Sequence, residues 1–203
     1  MYPITFSDDG RLFGAHDFMS FQGIYEIDPD GTNPPTLLDP NFYRTVLYLA
    51  EHGPEGALGI VLNRPTDEAV ADHIEGWSGY LAAPDVVFIG GPVSNEVAVA
   101  VAQNPVIPPE SWQPQLDGVG LLDITEGPEP VGGVDCLRIF SGYAGWVTGQ
   151  LEMELATGSW FVVDAIAADV FTTDPEGLWN AVLRRQPGRM AFYASFPDSL
   201  AAN

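Results

Sequence analysis

The stretch Phe42–Asn63, FYRTVLYLAEHGPEGALGIVLN, decides how the chain folds. Its first nine residues are aromatic and β-branched enough for a strand, ALGIVLN repeats that character, and HGPEG between them supplies turn residues. Two strands so joined form a hairpin. Further along, VVFIG (86–90) and EVAVAVA (96–102) flank a Gly-Gly-Pro turn at Gly90 to Pro92, and VGLLDI (119–124) and CLRIF (136–140) add two apolar runs of strand length. WFVVDA (160–165) reads as another strand, and MAFYASF (190–196), which alternates, as the closing one.

Helix signals are fewer. Thr66 resembles an N-cap with Asp67 and Glu68 in the first turn, predicting a short helix to about Glu75. QLEMELATG (150–158) predicts a second, with Thr148 as cap and Gly158 as terminator. Asp174 before Pro175 opens a third, on which Leu178, Trp179, Val182 and Leu183 form one apolar stripe. Arg184 and Arg185 close it where the helix dipole favours cations. Residues Gln103 to Leu116 carry four prolines and read as an irregular surface connection.

Strands outnumber helices, and no repeating strand–helix–strand crossovers are visible. The expected class is α+β: one domain built on a curved, partly barrel-like, mainly antiparallel or mixed sheet with peripheral helices. Residues 1–36, rich in Asp and Pro, read as an N-terminal arm or irregular first strand, and 37–203 as the domain.

Composition narrows the function classes. The 203 residues are 46% apolar and 11% aromatic, enough to bury a core, so disorder is excluded as the state of the whole chain. The longest apolar run, Val97 to Ala102, is far short of the roughly 20 residues of a membrane helix. The opening MYPITFSDDGRLFG has neither the basic nor the apolar region of a secretory signal, so a cytoplasmic location is expected. Seven arginines, no lysine and 28 acids give a net charge of −21. That balance argues against direct DNA binding, which rests on about 6 to 10 phosphate contacts, and against anionic lipid. The single cysteine, Cys136, cannot form an internal disulfide and reads as a small core residue.

Several blocks in fixed order, DPNFYRTVLYLAEH, EGALGIVLNRP, FIGGPV, GYAGWVTGQLEMEL, WF and LWNAVLRRQPG, resemble the bacterial YqgE/AlgH family from Leu38 to Pro197. The resemblance implies a curved, partly barrel-like sheet with outer helices in a cytosolic protein, and a family label of transcriptional regulator without an established reaction. Two departures stand out. Relatives open with a clear apolar strand where this chain has GIYEIDPDGTNP, which displaces the first strand to Phe21 through Ile27. Many also carry a cysteine where this chain has Ala50, so a thiol switch at that position does not transfer.

Candidate ligand-binding residues fall on turns. His52 beside Glu51 at a strand end can serve as a general base, or can simply fix the turn. Asn63 and Arg64 follow ALGIVL, where an arginine can clamp a carboxylate or phosphate, or pair internally with Glu152 or Glu154. Gly90 and Gly91 form a second turn. SGYAGWVTG (141–149) reads as a glycine-rich loop contributing Tyr143, Gly145 and Trp146, whose rings either stack on a planar ligand or anchor the loop. Gln150 and Glu152 follow it, with Glu152 and Glu154 about 200° apart on a helix and so unable to act as a pair. A P-loop, a dinucleotide fingerprint and a serine elbow are all missing, and no histidine has metal-ligand spacing, so no cofactor and no metal are expected. The expected function is that of a non-catalytic regulatory protein binding a small molecule or another protein through these turns gathered at one rim. The alternative is a hydrolase or transferase using His52 with Glu51 or Glu152, and below it a direct transcriptional regulator.

Overall fold

A glycine in the left-handed region sits in the middle of the longest strand, and the architecture turns on it. The computed structural model describes residues 22–25, 41–116, 118–156 and 159–195. Ten strands form one sheet: β1 (Gln22–Tyr25), β2 (Leu47–Gly53), β3 (Gly56–Val61), β4 (Pro65–Ala69), β5 (Val86–Ile89), β6 (Val93–Gln103), β7 (Gln113–Leu116), β8 (Val119–Leu121), β9 (Cys136–Val147) and β10 (Phe161–Asp164). Their order is β10-β1-β2-β3-β9-β6-β8-β7, with β5 also on β9 and β4 on β5. Every pair is antiparallel except β5 with β9. Four short helices accompany it: α1 (Gln150–Ala156) packs on one face beside Trp146, while α2 (Ala167–Val170), α3 (Leu178–Arg184) and α4 (Met190–Tyr193) pack on the other, against Tyr48 and Phe140. The α+β, nearly closed, barrel-like sheet is the expected architecture.

Strand β9 has two halves with different partners. Cys136 to Ser141 pair with β6, and Ala144 to Val147 with β3. Gly142 between them has φ 70°. A left-handed residue breaks the strand's alternation. Before it, Phe140 faces a core shared with Tyr48, Ile60, Val101 and Val182, while Leu137 and Ile139 face outward onto Trp77. After it the even positions have changed sides: Ala144 and Trp146 pack outward with Leu47, Leu151 and Trp160. One inner core is thereby covered by the sheet, and each half of the sheet has its own outer layer.

The β2–β3 hairpin forms as expected, with Gly53 opposite Gly56 across the Pro54–Glu55 turn, although residues 41–44 are a turn and the strand starts only at Leu47. The first strand lies at Gln22–Tyr25, inside the expected displaced segment, and the rest of the expected arm lies outside the described residues. The α3 stripe of Leu178, Trp179, Val182 and Leu183 is buried, and Asp174 accepts the Gly177 N–H at 3.1 Å ahead of it.

Five readings are corrected. Residues from Thr66 are not a helix: Pro65–Ala69 is β4, followed by one 3-10 turn at Val70–Asp72. The Thr66 hydroxyl oxygen does accept the Glu68 N–H at 3.1 Å, as a cap would, but its O–H donates to Val87 O at 2.7 Å and the backbone pairs with β5, which keeps the segment extended. SGYAGWVTG is no loop but the continuation of β9 through Val147, its glycines permitting close approach of other backbones. MAFYASF gives α4 instead of a strand: Met190, Tyr193 and Ala194 reach the core at helical spacing while Phe192 is exposed, and Phe196 lies outside the described residues. The end of the proline-rich connection, Gln113–Leu116, pairs with β8 as β7. Cys136 is half-buried at the start of β9, outside the core. For α1, Gln150 Oε1 accepts the Val147 N–H at 3.2 Å, while Gly158 lies outside the described residues.

A Cβ on Gly142 would stand 2.7 Å from Val93 O and 2.8 Å from Gly91 O, both backbone atoms. Gly142→Ala therefore combines a disfavoured φ with a clash that no rotamer relieves. It should cost about 2–4 kcal/mol, seen as a fall in melting temperature of roughly 5–15 °C. A fall of a degree or less would show that β9 tolerates an ordinary residue at its centre.

Candidate functional site

The expected site residues separate into two groups at opposite ends of β3. Ala57 and Arg64 are seven residues apart, about 20 Å along an extended chain. His52, Trp146, Gln150 and Glu152 gather at the hairpin end, and Asn63, Arg64, Gly90 and Gly91 at the other. Tyr143 and Gly145 lie between, on the inner side of β9.

At the hairpin end, a β-bulge in β2 determines which side chains meet. Leu49 is opposite Gly59 and Glu51 opposite Leu58, leaving Ala50 as the extra residue. The slip sends Glu51 to the inner face with Leu58 and Gly145, in register across three strands. It sends His52, opposite Ala57, to the outer face beside α1. His52 and Glu51 thus cannot act on one substrate together. His52 Nε2 instead meets Glu152 Oε1 at 2.5 Å, with side chains 26% and 52% exposed. Glu152 lies below the usual carboxylate range, first because its own backbone N–H near the start of α1 bonds it, then because of His52. Glu51 has no hydrogen-bond or ion-pair partner among the described residues, and loss of water pushes its carboxyl up to about 7.

Behind this pair lies a residue the sequence reading did not select. Glu154 Oε2 accepts both indole N–H groups, from Trp146 at 2.9 Å and Trp160 at 2.6 Å, and Glu154 Oε1 accepts Gln150 Nε2 at 3.0 Å. Trp146 and Trp160 meet edge to face at 6.0 Å and Phe42 closes the cluster. Trp146 is 6% exposed, so it anchors α1 and does not stack on a ligand. Gln150 to Glu154 is an i, i+4 spacing on a helix, which was the available signal. Glu152 and Glu154 do point to different partners, as their helical spacing requires.

At the other end, Asn63 is 4% exposed and bonded on both sides of its amide: its Oδ1 accepts the Val46 N–H at 2.9 Å and its Nδ2 donates to Arg44 O at 2.8 Å. It fastens the chain entering β2 to the end of β3, and its burial keeps it from the surface. Arg64 does not reach Glu152 or Glu154. Its guanidinium donates to two backbone carbonyls, Tyr43 O and, at 3.4 Å, Asn63 O. Burial without a carboxylate lowers its pKa. Gly90 links three segments, donating to Ser141 O and accepting from Val61 N, both at 2.8 Å. A Cβ on Gly91 would lie 2.2 Å from the Tyr143 carbonyl carbon, so this turn rests directly on β9. The Tyr143 ring lies over Gly145, 3.6 Å from where a Cβ would stand. The turns leave an open depression of about 150 Å³ lined by Asn41, Val61, Arg64, Ile89 and Gly91. Asn41 and Ile89 carry no chemical signature in sequence, and only the fold brings them to Arg64.

Among the described residues no cluster of three or more His, Cys, Asp or Glu could hold a metal, and no helix is long and apolar enough to cross a membrane.

A family model described as AlgH-like matches residues 32–191. UPF0301 proteins of Streptomyces avermitilis and Streptomyces coelicolor are each 46% identical over 178 residues, spanning 83% of this chain and 91% of theirs. A crystal structure of the Corynebacterium diphtheriae protein DIP2367 superposes with a TM-score of 0.74 at 24% identity, covering 91% of this chain and 95% of that one, and so supports the fold. The solution structure of AlgH from Pseudomonas aeruginosa superposes with a TM-score of 0.63 at 25% identity, covering 92% and 100%. With the family model spanning most of the chain, and two relatives near half identity along it, this protein belongs to the AlgH-like family, the YqgE/AlgH group its sequence blocks resemble.

Proposed function

We propose that this protein is a non-catalytic cytoplasmic regulatory protein that binds a small ligand in the depression at Arg64, Ile89 and Gly91 and passes the signal to a protein partner. The observation that carries this reading is the depression itself. Its walls are rigid, since Gly90 and Gly91 lie on β9 and Asn63 fastens the neighbouring turn. It combines an apolar side, Val61 and Ile89, with a charged group, the usual make-up of a ligand site. Direct DNA contact is not part of the proposal. Arg138 is buried, Arg185 pairs with Asp169 at 2.6 Å, and Arg44 stacks over Trp179 at 4.6 Å; among the described residues exposed Arg184 and Arg189 remain, too few for the roughly 6 to 10 phosphate contacts of duplex binding.

The test is a metabolite screen read by thermal shift. A ligand at about 100 times its Kd should raise the melting temperature by roughly 5–10 °C. Ile89 is 48% exposed, so Ile89→Trp fills the depression from a position where the fold has room, and should abolish the rise. Stabilisation that survives Ile89→Trp would place the ligand elsewhere.

The hydrolase or transferase reading is favoured by one observation, the 2.5 Å contact of His52 with Glu152. A histidine held by a carboxylate is the arrangement of a general base, but this pair stands on an open face beside α1. Under the binding reading, purified protein shows no turnover of ester, amide or phosphoester panels, and His52→Gln changes stability by less than about 1 kcal/mol, as for other exposed ion pairs. Turnover that falls about a hundredfold or more in His52→Gln would reverse the order of the two readings.

Glu51 gives a separate pH test. Its carboxyl titrates near 7 in the folded chain against 4.5 for the free group, so the folded state holds the proton that the unfolded chain releases. The favourable contribution is complete below pH 4.5, and is lost as pH rises through 7. Glu51→Gln keeps a neutral group at every pH. Its melting temperature relative to the parent should therefore climb between about pH 5 and pH 8. A flat difference would mean Glu51 is solvated.

A further inference from the structure

We infer that the ligand taken by the Arg64 depression is a small oxyanion, a carboxylate or a phosphate, with the Arg64 guanidinium as its principal contact. The inference rests on the binding reading above and specifies its ligand.

Buried Arg138 is met by three backbone carbonyls and the Phe88 ring. Arg185 takes Asp169 in two bonds. Arg64 takes no carboxylate among the described residues. Two of its five N–H groups go to backbone carbonyls, Tyr43 O and Asn63 O, and the other donors have no partner among the described residues. Those two bonds hold the side chain in place, so little further freedom is lost when an anion arrives.

The surroundings suit an anion in three further ways. The lining contains no acidic residue, so no carboxylate competes for the guanidinium there. Arg64 is half-buried with its charge uncompensated, a situation that an anionic partner relieves and a neutral one does not. The volume is about 150 Å³. A cavity of about that size accommodates a benzene, roughly six heavy atoms. Acetate and phosphate are both smaller, and a larger ligand would keep its remainder over Ile89 or in solvent. The planar fork of a guanidinium fits the two oxygens of either group.

The experiment uses the full-length protein labelled with 15N and two probes, sodium acetate and inorganic phosphate, against sodium chloride at equal ionic strength. The expected result is a saturable shift of the Gly91 amide and the Arg64 Nε–H signals with one or both probes and not with chloride, at a Kd on the order of 1 mM. Arg64→Gln should weaken binding about tenfold or more, and Arg64→Lys, which keeps the charge without the fork, by less. Saturation by acetate alone identifies a carboxylate source, and by phosphate alone a phosphate source. The parent spectrum decides the matter even if Arg64→Gln does not fold, because the guanidinium signal is read directly. Linear, unsaturable shifts with both probes would overturn the inference. If a metabolite is blocked by Ile89→Trp yet binds Arg64→Gln unchanged, the depression is a ligand site but not an oxyanion site.

Discussion

The left-handed backbone at Gly142 is the constraint on which the rest of the structure depends. One residue with φ 70° lets a single strand serve two outer layers, because the alternation of its side chains reverses there. Its missing side chain also matters. The backbones of Gly91 and Val93 pass within contact distance of where a Cβ would be, and the Gly90–Gly91 turn occupies that space. With a side chain in the way, β5 could not hand its hydrogen bonds from Arg64 O to Ser141 O in successive residues. The depression lies where the end of β3 meets the turn after β5, the Val61 N–H donating to Gly90 O at 2.8 Å.

The second constraint is electrostatic and lies in the inner core. Arg138 is 1% exposed and has no carboxylate partner among the described residues; it donates instead to Val170 O, Ala83 O and Thr172 O at 2.7–2.8 Å, with its charge 4.4 Å above the Phe88 ring. Burial pushes the guanidinium down to about 10, so it stays charged at neutral pH. Three carbonyls and an aromatic face replace part of the water it has lost, and in doing so they fix the loops before β5 and after α2 to β9. The cost of burying a charge is thereby converted into a fixed geometry for segments with little regular structure of their own. Arg64 repeats the pattern at the surface with fewer partners, two carbonyls where Arg138 has three and a ring.

Much of this was legible in the sequence wherever local and long-range demands agree. The β2–β3 hairpin, the VVFIG and EVAVAVA strands and the α3 stripe carry both the right period and the right turn residues. The failures fall where a distant partner overrides what local rules had assigned. Thr66 makes the local bond of a cap, to the Glu68 N–H, but pairing with β5 keeps the backbone after it extended. GYAGWV contains glycines that suggest a loop, but here they are the room that other backbones need. MAFYASF is short enough for an alternating and a helical reading to coincide, and contact of Met190 with Tyr193 on the core selects the helix. The candidate residues followed the same division: their types were readable, but the distance between His52 and Arg64 depends on the length of β3 and the side each strand presents.

The bulge at Ala50 shows why adjacency in sequence misleads at such sites. Glu51 and His52 are neighbours, and a histidine beside an acid invites a catalytic pairing. In a regular strand, neighbours already face opposite ways; the bulge decides which way each one goes. Ala50 and Glu51 take the inner face and His52 the outer, where α1 presents Glu152. Without the extra residue the assignment would be reversed, with a carboxylate facing the acidic side chain of α1 and a histidine against the apolar inner face. Like-charge opposition on one side and an unpartnered imidazole on the other would both oppose folding. The bulge is therefore explained by the electrostatics of α1 packing, with no need of a reaction, and the helix in turn is held by Glu154 on two indoles. The hairpin end of β3 has a complete structural account in these contacts; the Arg64 end, with donors left over and no acid beside them, does not.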